Sequence, residues 1–338
     1  MIKKKSQIDK HDLLAEELRK KSIIGVDKFL ITNFRGSLQE KDFTKKPNCS
    51  NFGRIHHFKY DCGKDWVNNP LPEEVAAWKL GLPIEGLEKV QIFQNAACNW
   101  RCWYCYVDYD CLLASNDRAE FKTADDLIDL FLKEKDRPLT IDMSGGQPDI
   151  IPEWPIRMME ALIKRNLEKE YFLWLDDNLS LDFAWKYLTK SDFLLMKTYR
   201  NFGRIGCFKG FSPASFHENT NAPSELFKQQ INIMSKWVKL GLDMYGYITL
   251  TSSKIEGVKT EIRSFMDAVQ KEIHPNFLLR IVPLKIGIDF SPTKTRMTAS
   301  HKKAYENQFE VLSIWKDELQ TRYSKNELEQ KIYLNKLE

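Results

Sequence analysis

The stretch Cys98-Asn99-Trp100-Arg101-Cys102-Trp103-Tyr104-Cys105 carries three cysteines at the spacing C-x3-C-x2-C, directly after the apolar segment Val90-Gln91-Ile92-Phe93. Soft thiolate ligands select iron–sulfur clusters, and three of them on one loop can bind three irons of a [4Fe–4S] cube. Because no fourth cysteine follows at a matching spacing, the fourth iron would stay open to a ligand that the protein does not supply. Zinc usually needs a second pair of Cys or His ligands, and a redox dithiol needs only two cysteines, so neither accounts for this spacing.

Around this loop, strand-like and helix-like segments alternate along the chain. We predict strands at residues 90–94, 139–143, 171–175, 193–197, 205–209, 242–250 and 277–283, and helices at 127–135, 153–166, 181–188, 225–240 and 259–273. Thr123 to Asp126 resembles a capping box that opens the first of these helices. The alternation is typical of parallel strands covered by helices, whose chemistry lies where the strands end.

Tyr104 stands directly before the last cysteine, and with it the motif resembles the signature of the radical S-adenosylmethionine (radical SAM) superfamily. The resemblance implies an α/β fold, a partial (β/α)6 TIM-type barrel, over residues 86–290. Residues 1–85 would form an N-terminal extension that meets substrate or partner, and residues 291–338 a C-terminal helical tail that covers the open edge of the barrel. It also implies a [4Fe–4S] cluster held by Cys98, Cys102 and Cys105, with S-adenosylmethionine chelating the open iron.

Gly145-Gly146-Gln147-Pro148, after the second predicted strand, is similar to the G-G-E-P segment of the family. In that segment, backbone and acidic groups receive the methionine ammonium of the cofactor. The glycines allow close backbone approach. Gln147 replaces the usual Glu, and its amide oxygen can accept from an ammonium without charge assistance.

Two further segments resemble those of glycyl-radical-enzyme activases. Asp176-Asp177-Asn178 is similar to their D-T-N-G segment, and we single out Asn178 as the contact to the cofactor. Lys209 matches the lysine of their D-x-K segment and would neutralise the methionine carboxylate. Cys207 stands where the aspartate would be, so the chain departs from the activase pattern there.

From their positions at strand ends, three more residues are expected at the cofactor. Tyr104 would touch the adenine ring, Thr249 would bond the ribose or the carboxylate, and Ile281 would pack on the adenine. No residue is assigned a catalytic role beyond these contacts. The remaining cysteines, Cys49, Cys62, Cys111 and Cys207, equal in number the ligands of a second cluster, but they contain no C-x2-C pair, so buried core thiols are the favoured interpretation.

The resemblance implies reductive cleavage of S-adenosylmethionine to a 5′-deoxyadenosyl radical, with an electron donor such as flavodoxin or ferredoxin. The activase-like segments favour hydrogen abstraction from a peptide or protein substrate. Radical modification or rearrangement of a small metabolite is the alternative, and a metal- or Fe–S-binding module without catalysis is a third reading.

Composition limits the class of protein. Of 338 residues, 43% are hydrophobic and 29% are charged, which is typical of globular proteins. The longest apolar runs are far shorter than the ~20 residues of a membrane span, and the basic start Met1–Lys5 has no apolar signal core behind it. Seven cysteines without a disulfide pattern fit a reducing compartment. We therefore expect a cytoplasmic protein with no membrane contact. The net charge of +4 comes from a basic surplus in residues 1–70, which is more often a solvated surface than a nucleic-acid site, so nucleic acid is an unlikely partner.

Overall fold

The computed structural model describes residues 7–42 and 45–337; the basic segment Met1–Lys5 lies outside them. Its strands are β1 (Ile23–Ile24), β2 (Lys28–Thr32), β3 (Gly53–His57), β4 (Lys89–Phe93), β5 (Ala119–Thr123), β6 (Thr140–Met143), β7 (Phe172–Asp177), β8 (Phe202–Phe208), β9 (Met244–Thr249) and β10 (Ile281–Leu284). Its α-helices are α1 (Gln7–Ser22), α2 (Glu73–Leu80), α3 (Ala124–Leu132), α4 (Glu153–Ile163), α5 (Phe183–Tyr187), α6 (Lys190–Thr198), α7 (Pro213–Thr220), α8 (Phe227–Leu240), α9 (Val258–Glu272), α10 (Ser291–Arg296), α11 (Ala299–Arg322) and α12 (Lys325–Glu329).

The main sheet has seven strands in the order β10-β9-β8-β7-β6-β4-β3. The six strands from β4 to β10 are parallel and follow one another in chain order, whereas β3 pairs antiparallel with β4. Helices form the crossovers, and right-handed crossovers that always step in one direction place their helices on one face of the sheet. The predicted α/β fold with six βα units is therefore confirmed.

Side chains alternate between two faces along each strand. Leu173 and Leu175 of β7 pack in the large core against the outer helices, whereas Phe172 and Trp174 pack on the inner face. Helix α2 joins these inner residues through its own apolar side chains. Its Lys79 lies 3.0 Å from the carboxylate of Asp243, the residue just before β9. Helix α2 therefore fills the interior of the barrel at the amino ends of the strands.

A second, three-stranded sheet has the order β1-β2-β5. It adjoins the main sheet through the segment that follows β4, where the backbone N–H of Thr32 donates to the carbonyl of Gln94 at 2.9 Å and that of Ala96 to Leu30 at 3.1 Å. Strand β5 is an edge strand, because it pairs with β2 alone among the described strands. This small sheet therefore lies beside the chain that leads into the cysteine loop.

The predicted strand at 193–197 is wrong, because these residues belong to helix α6. Thr189 and Asp192 form a capping box, in which each side chain accepts from the backbone N–H of the other. This pairing satisfies amide groups at the helix start. The same arrangement of Thr123 and Asp126 opens α3, as the sequence predicted.

The C-terminal tail is helical, as expected, but α11 packs mainly against α9 through Trp315 and Phe265, whose rings lie 6.2 Å apart. At the edge strand β10, Trp66 of the N-terminal region donates its indole N–H to the carbonyl of Pro283 at 2.9 Å. The division of the chain at residues 85 and 290 stays a prediction, and β3 of the first region is part of the main sheet. No helix among residues 7–42 and 45–337 is long and apolar enough to cross a membrane.

Candidate active site

The cysteine loop follows β4 at the carboxyl edge of the sheet and is held by backbone hydrogen bonds. The N–H groups of Arg101 and Trp103 donate to the carbonyls of Thr220 and Asn219 at the end of α7, each at 3.2 Å. Helix α7 is itself fixed by a capping box from Ser212. The loop after one strand is thus anchored on the helix that follows β8, so its three cysteines are presented at a defined place.

The three thiols of the loop lie near one another. Burial raises the pKa of Cys98 above its ordinary value, and Cys105 contributes in the same direction. Burial also raises the pKa of Cys102 to about 12, with further contributions from Cys105 and Cys98. Such thiols ionise only when a cation compensates the charge, as a bound metal does.

Among the described residues, no group of three or more His, Cys, Asp or Glu side chains is arranged around a single metal ion. A cubane differs from a single ion in this respect, because its protein sulfurs bind different irons. The donor set of this loop therefore fits a cluster and lacks the closed four-ligand shell of structural zinc.

Asn178 follows β7 and contacts the cysteine loop directly. Its side-chain nitrogen lies 3.7 Å from the sulfur of Cys98, and its side-chain oxygen accepts from the backbone N–H of Ser180 at 3.0 Å. The carbonyl of Asn178 accepts from Gln230 of α8 at 3.0 Å. The predicted residue is thus at the site, but it faces a cysteine sulfur, where a hydrogen bond tunes a metal centre.

The two glycines after β6 form a tight turn against the segment that precedes the cysteines. Both have positive φ, +88° at Gly145 and +70° at Gly146. A Cβ at Gly146 would lie 2.4 Å from the carbonyl oxygen of Asn95 and 2.5 Å from that of Ala97. A side chain is therefore excluded there, and the turn lies in backbone contact with the start of the cysteine loop.

Gln147 connects the glycine turn to the end of β7. Its amide nitrogen donates to Asp177 at 2.8 Å, and its amide oxygen accepts from the backbone N–H of Asn178 at 2.9 Å. The side chain is fully buried. Both ends of the amide are thus used inside the protein, and the expectation that its oxygen receives an ammonium has no support from this geometry.

A buried ion pair network lies behind Gln147. Arg204 of β8 donates to Asp149 and to Asp177, both at 2.6 Å, and all three side chains are at most 1% exposed. Burial raises the pKa of Asp149 to about 7, although the Arg204 charge acts against this. The network ties the end of β7 and the first half of β8 to Asp149, just after the glycine turn, a role that the sequence motifs did not reveal.

Lys209, directly after β8, is the cationic group of the site. It is half-buried and makes no ion pair with another described residue. Burial alone would lower the pKa of its ammonium, but the neighbouring side chains of Cys207 and Tyr104 raise it well above its usual range, and Cys102 and Cys105 do the same. A charged ammonium therefore lies near the cysteines, and its expected contact with the methionine carboxylate stays a prediction.

Tyr104 and Thr249 are brought together, since their hydroxyl oxygens lie 2.9 Å apart. Tyr104 is thereby fixed between the cysteine loop and the end of β9. Ile281 behaves differently: it begins β10 and packs in the large core with the outer helices. The expectation that Ile281 contacts an adenine is wrong, because the side chains of Val282 and Leu284 face the interior in its place.

The sequence motifs missed a contact from the C-terminal region. In α10, the Thr293 hydroxyl is 3.3 Å from the carbonyl oxygens of Tyr104 and Cys105, and Arg296 donates to Cys105 at 2.7 Å. The guanidinium of Arg296 also stacks on Tyr109, 3.5 Å from the ring centroid. No spacing links residues so far apart in sequence, so only the fold could reveal this clamp on the loop.

The other four cysteines are dispersed. Cys207 lies on the inner face of the barrel, Cys111 packs beside the cysteine loop, and Cys49 and Cys62 belong to the N-terminal region. Among the described residues, these four thiols pack in three different clusters of the core, so their placement does not favour a second iron–sulfur cluster.

No protein-family model matches the chain, and no curated protein is significantly similar to it. Solved structures of radical SAM enzymes are similar in fold. SuiB of Streptococcus suis, bound to the precursor peptide SuiA, has a TM-score of 0.46 and 14% identity over 78% of this chain and 55% of SuiB. Native anSMEcpe with bound AdoMet has a TM-score of 0.40 and 12% identity, over 67% of this chain and 60% of that one. TYW1 with a lysine–pyruvate adduct bound has a TM-score of 0.39 and 10% identity, over 65% of this chain and 72% of TYW1.

The chain thus spans about half the length of SuiB. Likeness at these scores assigns no activity, so the function has to be argued from the site itself.

Proposed function

We propose that the chain is a radical SAM enzyme, which reductively cleaves S-adenosylmethionine at a [4Fe–4S] cluster and uses the resulting 5′-deoxyadenosyl radical to abstract hydrogen from a peptide or protein. One observation carries the proposal. The three-cysteine loop after β4, the glycine turn after β6 and Lys209 after β8 meet at the same edge of a parallel sheet. Ligands of α/β sheets bind at this edge.

The residues present fit the two cofactors. Cys98, Cys102 and Cys105 would hold the cluster, and the backbone of Gly145 and Gly146 would lie against the methionine part of S-adenosylmethionine. The unpaired ammonium of Lys209 supplies the charge that a carboxylate needs. The cofactor pair supplies a radical from one electron, and the protein binds, orients and excludes water. Flavodoxin or ferredoxin is the class of donor that would deliver this electron.

The small sheet supports a peptide or protein substrate. Its edge strand β5 has one side that pairs with no other described strand, and only β2 separates it from the segment that enters the cysteine loop. An extended peptide can add to such an edge through main-chain hydrogen bonds. A peptide held on β5 would then be close to the cofactor site.

The test is anaerobic reconstitution with iron and sulfide, followed by dithionite, S-adenosylmethionine and chromatography for 5′-deoxyadenosine. We expect about four irons per chain, the number in one cube, and product formation that Cys98→Ala abolishes. Cys62→Ala is the matched control, because this half-buried thiol lies outside the loop, and it should keep iron and activity.

Zinc in place of iron in anaerobically purified protein would overturn the proposal. So would a reduced cluster that gives no 5′-deoxyadenosine in the presence of peptide and metabolite pools. If small metabolites and not peptides increase the yield of 5′-deoxyadenosine, the radical chemistry is supported and the substrate is a small metabolite.

A further inference from the structure

A carboxyl group without a protein partner lies on the inner wall of the barrel. Asp142 of β6 is 1% exposed, and neither of its side-chain oxygens has a hydrogen-bond partner among the described residues. Its strand neighbours Ile141 and Met143 pack toward the outer helices, so Asp142 faces the interior. Buried side-chain oxygens normally have partners, and each exception needs an explanation.

The neighbours of Asp142 do not supply that partner. Asp176 lies on the adjacent strand, two residues nearer the carboxyl edge than Trp174, the register partner of Asp142. The oxygens of Asp176 are themselves satisfied, by the hydroxyl of Ser144 at 2.7 Å and the indole N–H of Trp174 at 3.1 Å. Burial raises the pKa of Asp142 well above its usual range and Asp176 raises it further, against the charge of Arg54.

The interior above Asp142 leads toward the carboxyl edge. Asp176, Lys209, Gly145 and Cys105 are half-buried there, whereas the amino end is filled by α2. Asp142 therefore lies on the interior wall between this edge and helix α2. This is the depth at which a substrate of the proposed reaction would sit.

We propose that Asp142 binds the substrate, and that it takes the basic side chain of a lysine or arginine in a peptide. The inference rests on the proposed function, since it assumes a peptide in the barrel. A cationic side chain offers N–H donors to both orphaned oxygens and a charge that keeps the carboxylate ionised. A neutral or acidic side chain brings no positive charge that would keep this buried carboxyl ionised, so it gains no charge-assisted hydrogen bond.

The experiment is a binding measurement without reductant, on the full-length, cluster-loaded protein with S-adenosylmethionine. The probes are the capped tripeptides acetyl-Gly-X-Gly-amide, in which X is lysine, arginine, norleucine or glutamate. Their dissociation constants are measured by calorimetry. We expect the lysine or arginine peptide to bind at least tenfold more tightly than the norleucine peptide. Asp142→Asn should reduce this preference to less than twofold, because an amide cannot compensate the charge.

Asp182→Asn is the matched control, since Asp182 is exposed and pairs with Lys236 on the outside; it should keep the full preference. If the Asp142→Asn variant does not fold, Asp142→Ser takes its place in the same measurement, with the same expected loss of preference. An unchanged preference in both Asp142 variants, or none in the wild type, would overturn the inference and leave water as the partner of this carboxyl. The absence of 5′-deoxyadenosine in a separate reductive assay would overturn the proposed function alone, because the binding assay needs no turnover.

Discussion

The side-chain nitrogen of Asn178 lies 3.7 Å from the sulfur of Cys98 and 3.4 Å from the side-chain oxygen of Asn99. This contact places an N–H donor beside the most buried cysteine of the loop. Hydrogen bonds to the sulfurs are among the factors that set the reduction potential of an iron–sulfur cluster. They stabilise the reduced cluster, because it carries one more negative charge than the oxidised cluster. Asn178 is therefore a residue that would tune electron acceptance.

We expect Asn178→Ala to make the reduction potential of the reconstituted cluster more negative, because a donor to sulfur is lost. A redox titration followed by electron paramagnetic resonance measures this. Asn201→Ala is the control, since Asn201 is equally buried but donates to the carbonyls of Glu168 and Lys169, away from the cysteines. Equal potentials in the two variants and the wild type would contradict the role of Asn178.

Gly146→Ala should destabilise the protein more than Gly81→Ala. Both glycines have a φ of +70°, so both changes include the strain of a left-handed residue, about 1–2 kcal/mol. A Cβ at Gly81 meets nothing within 4 Å, whereas one at Gly146 would overlap two carbonyl oxygens. Overpacking adds about 1–3 kcal/mol. The measurement is the free energy of unfolding in urea, and equal losses would show that the glycine turn can move away from the cysteine loop.

Glu73 predicts a pH dependence of stability. It is 2% exposed, and burial, followed by the charges of Glu88 and Glu74, raises its pKa to about 7. Because the folded pKa lies above the unfolded value of about 4.3, the contribution of Glu73 is fully present below that value and is lost as the pH rises through about 7.

We therefore expect Glu73→Gln to have a higher Tm than the wild type at pH 8 and to lose that advantage by pH 4.5. Glu85→Gln, on the exposed loop after α2, should follow the wild type throughout. A constant difference between Glu73→Gln and the wild type across this range would mean that Glu73 does not titrate in it.

Arg296→Ala should release the cysteine loop on its C-terminal side. A charged donor to a carbonyl contributes about 1.5–3 kcal/mol, so the loop should open at least about tenfold more often. The readout is the rate at which a chelator bleaches the reconstituted cluster. Lys294→Ala on the same helix is the control, because Lys294 is exposed, and it should bleach at the wild-type rate. Identical rates for the two variants would contradict the clamp.

The parts of the fold that the sequence predicted are those set by local pattern. Five of the six parallel strands were predicted close to their observed bounds, because buried strands read as short apolar runs between turn residues. The strand predicted at 277–283 begins only at Ile281, since Phe277–Arg280 form a 3₁₀ helix. The segment 193–197 is also a short apolar run, but it lies in a helix that the capping box of Thr189 and Asp192 opens. That box is visible in the sequence and was the signal that could have corrected the prediction.

The sequence pointed to those candidate site residues that stand together in a short motif on one loop. The cysteines, the two glycines and Lys209 were singled out because short motifs around them resemble those of the radical SAM family. The tie of Gln147 to Asp177 and the orphaned carboxyl of Asp142 depend on which residues from other strands lie opposite. Register and sheet order decide those contacts, and the sequence of a single strand contains neither.

Helix α2 closes the interior of the barrel at the amino ends of its strands. A ligand in the interior would therefore lie on the side of α2 that faces the carboxyl edge, where the cofactor would bind. A folded protein could reach the bottom only with a narrow, extended segment, such as a terminus or a loop.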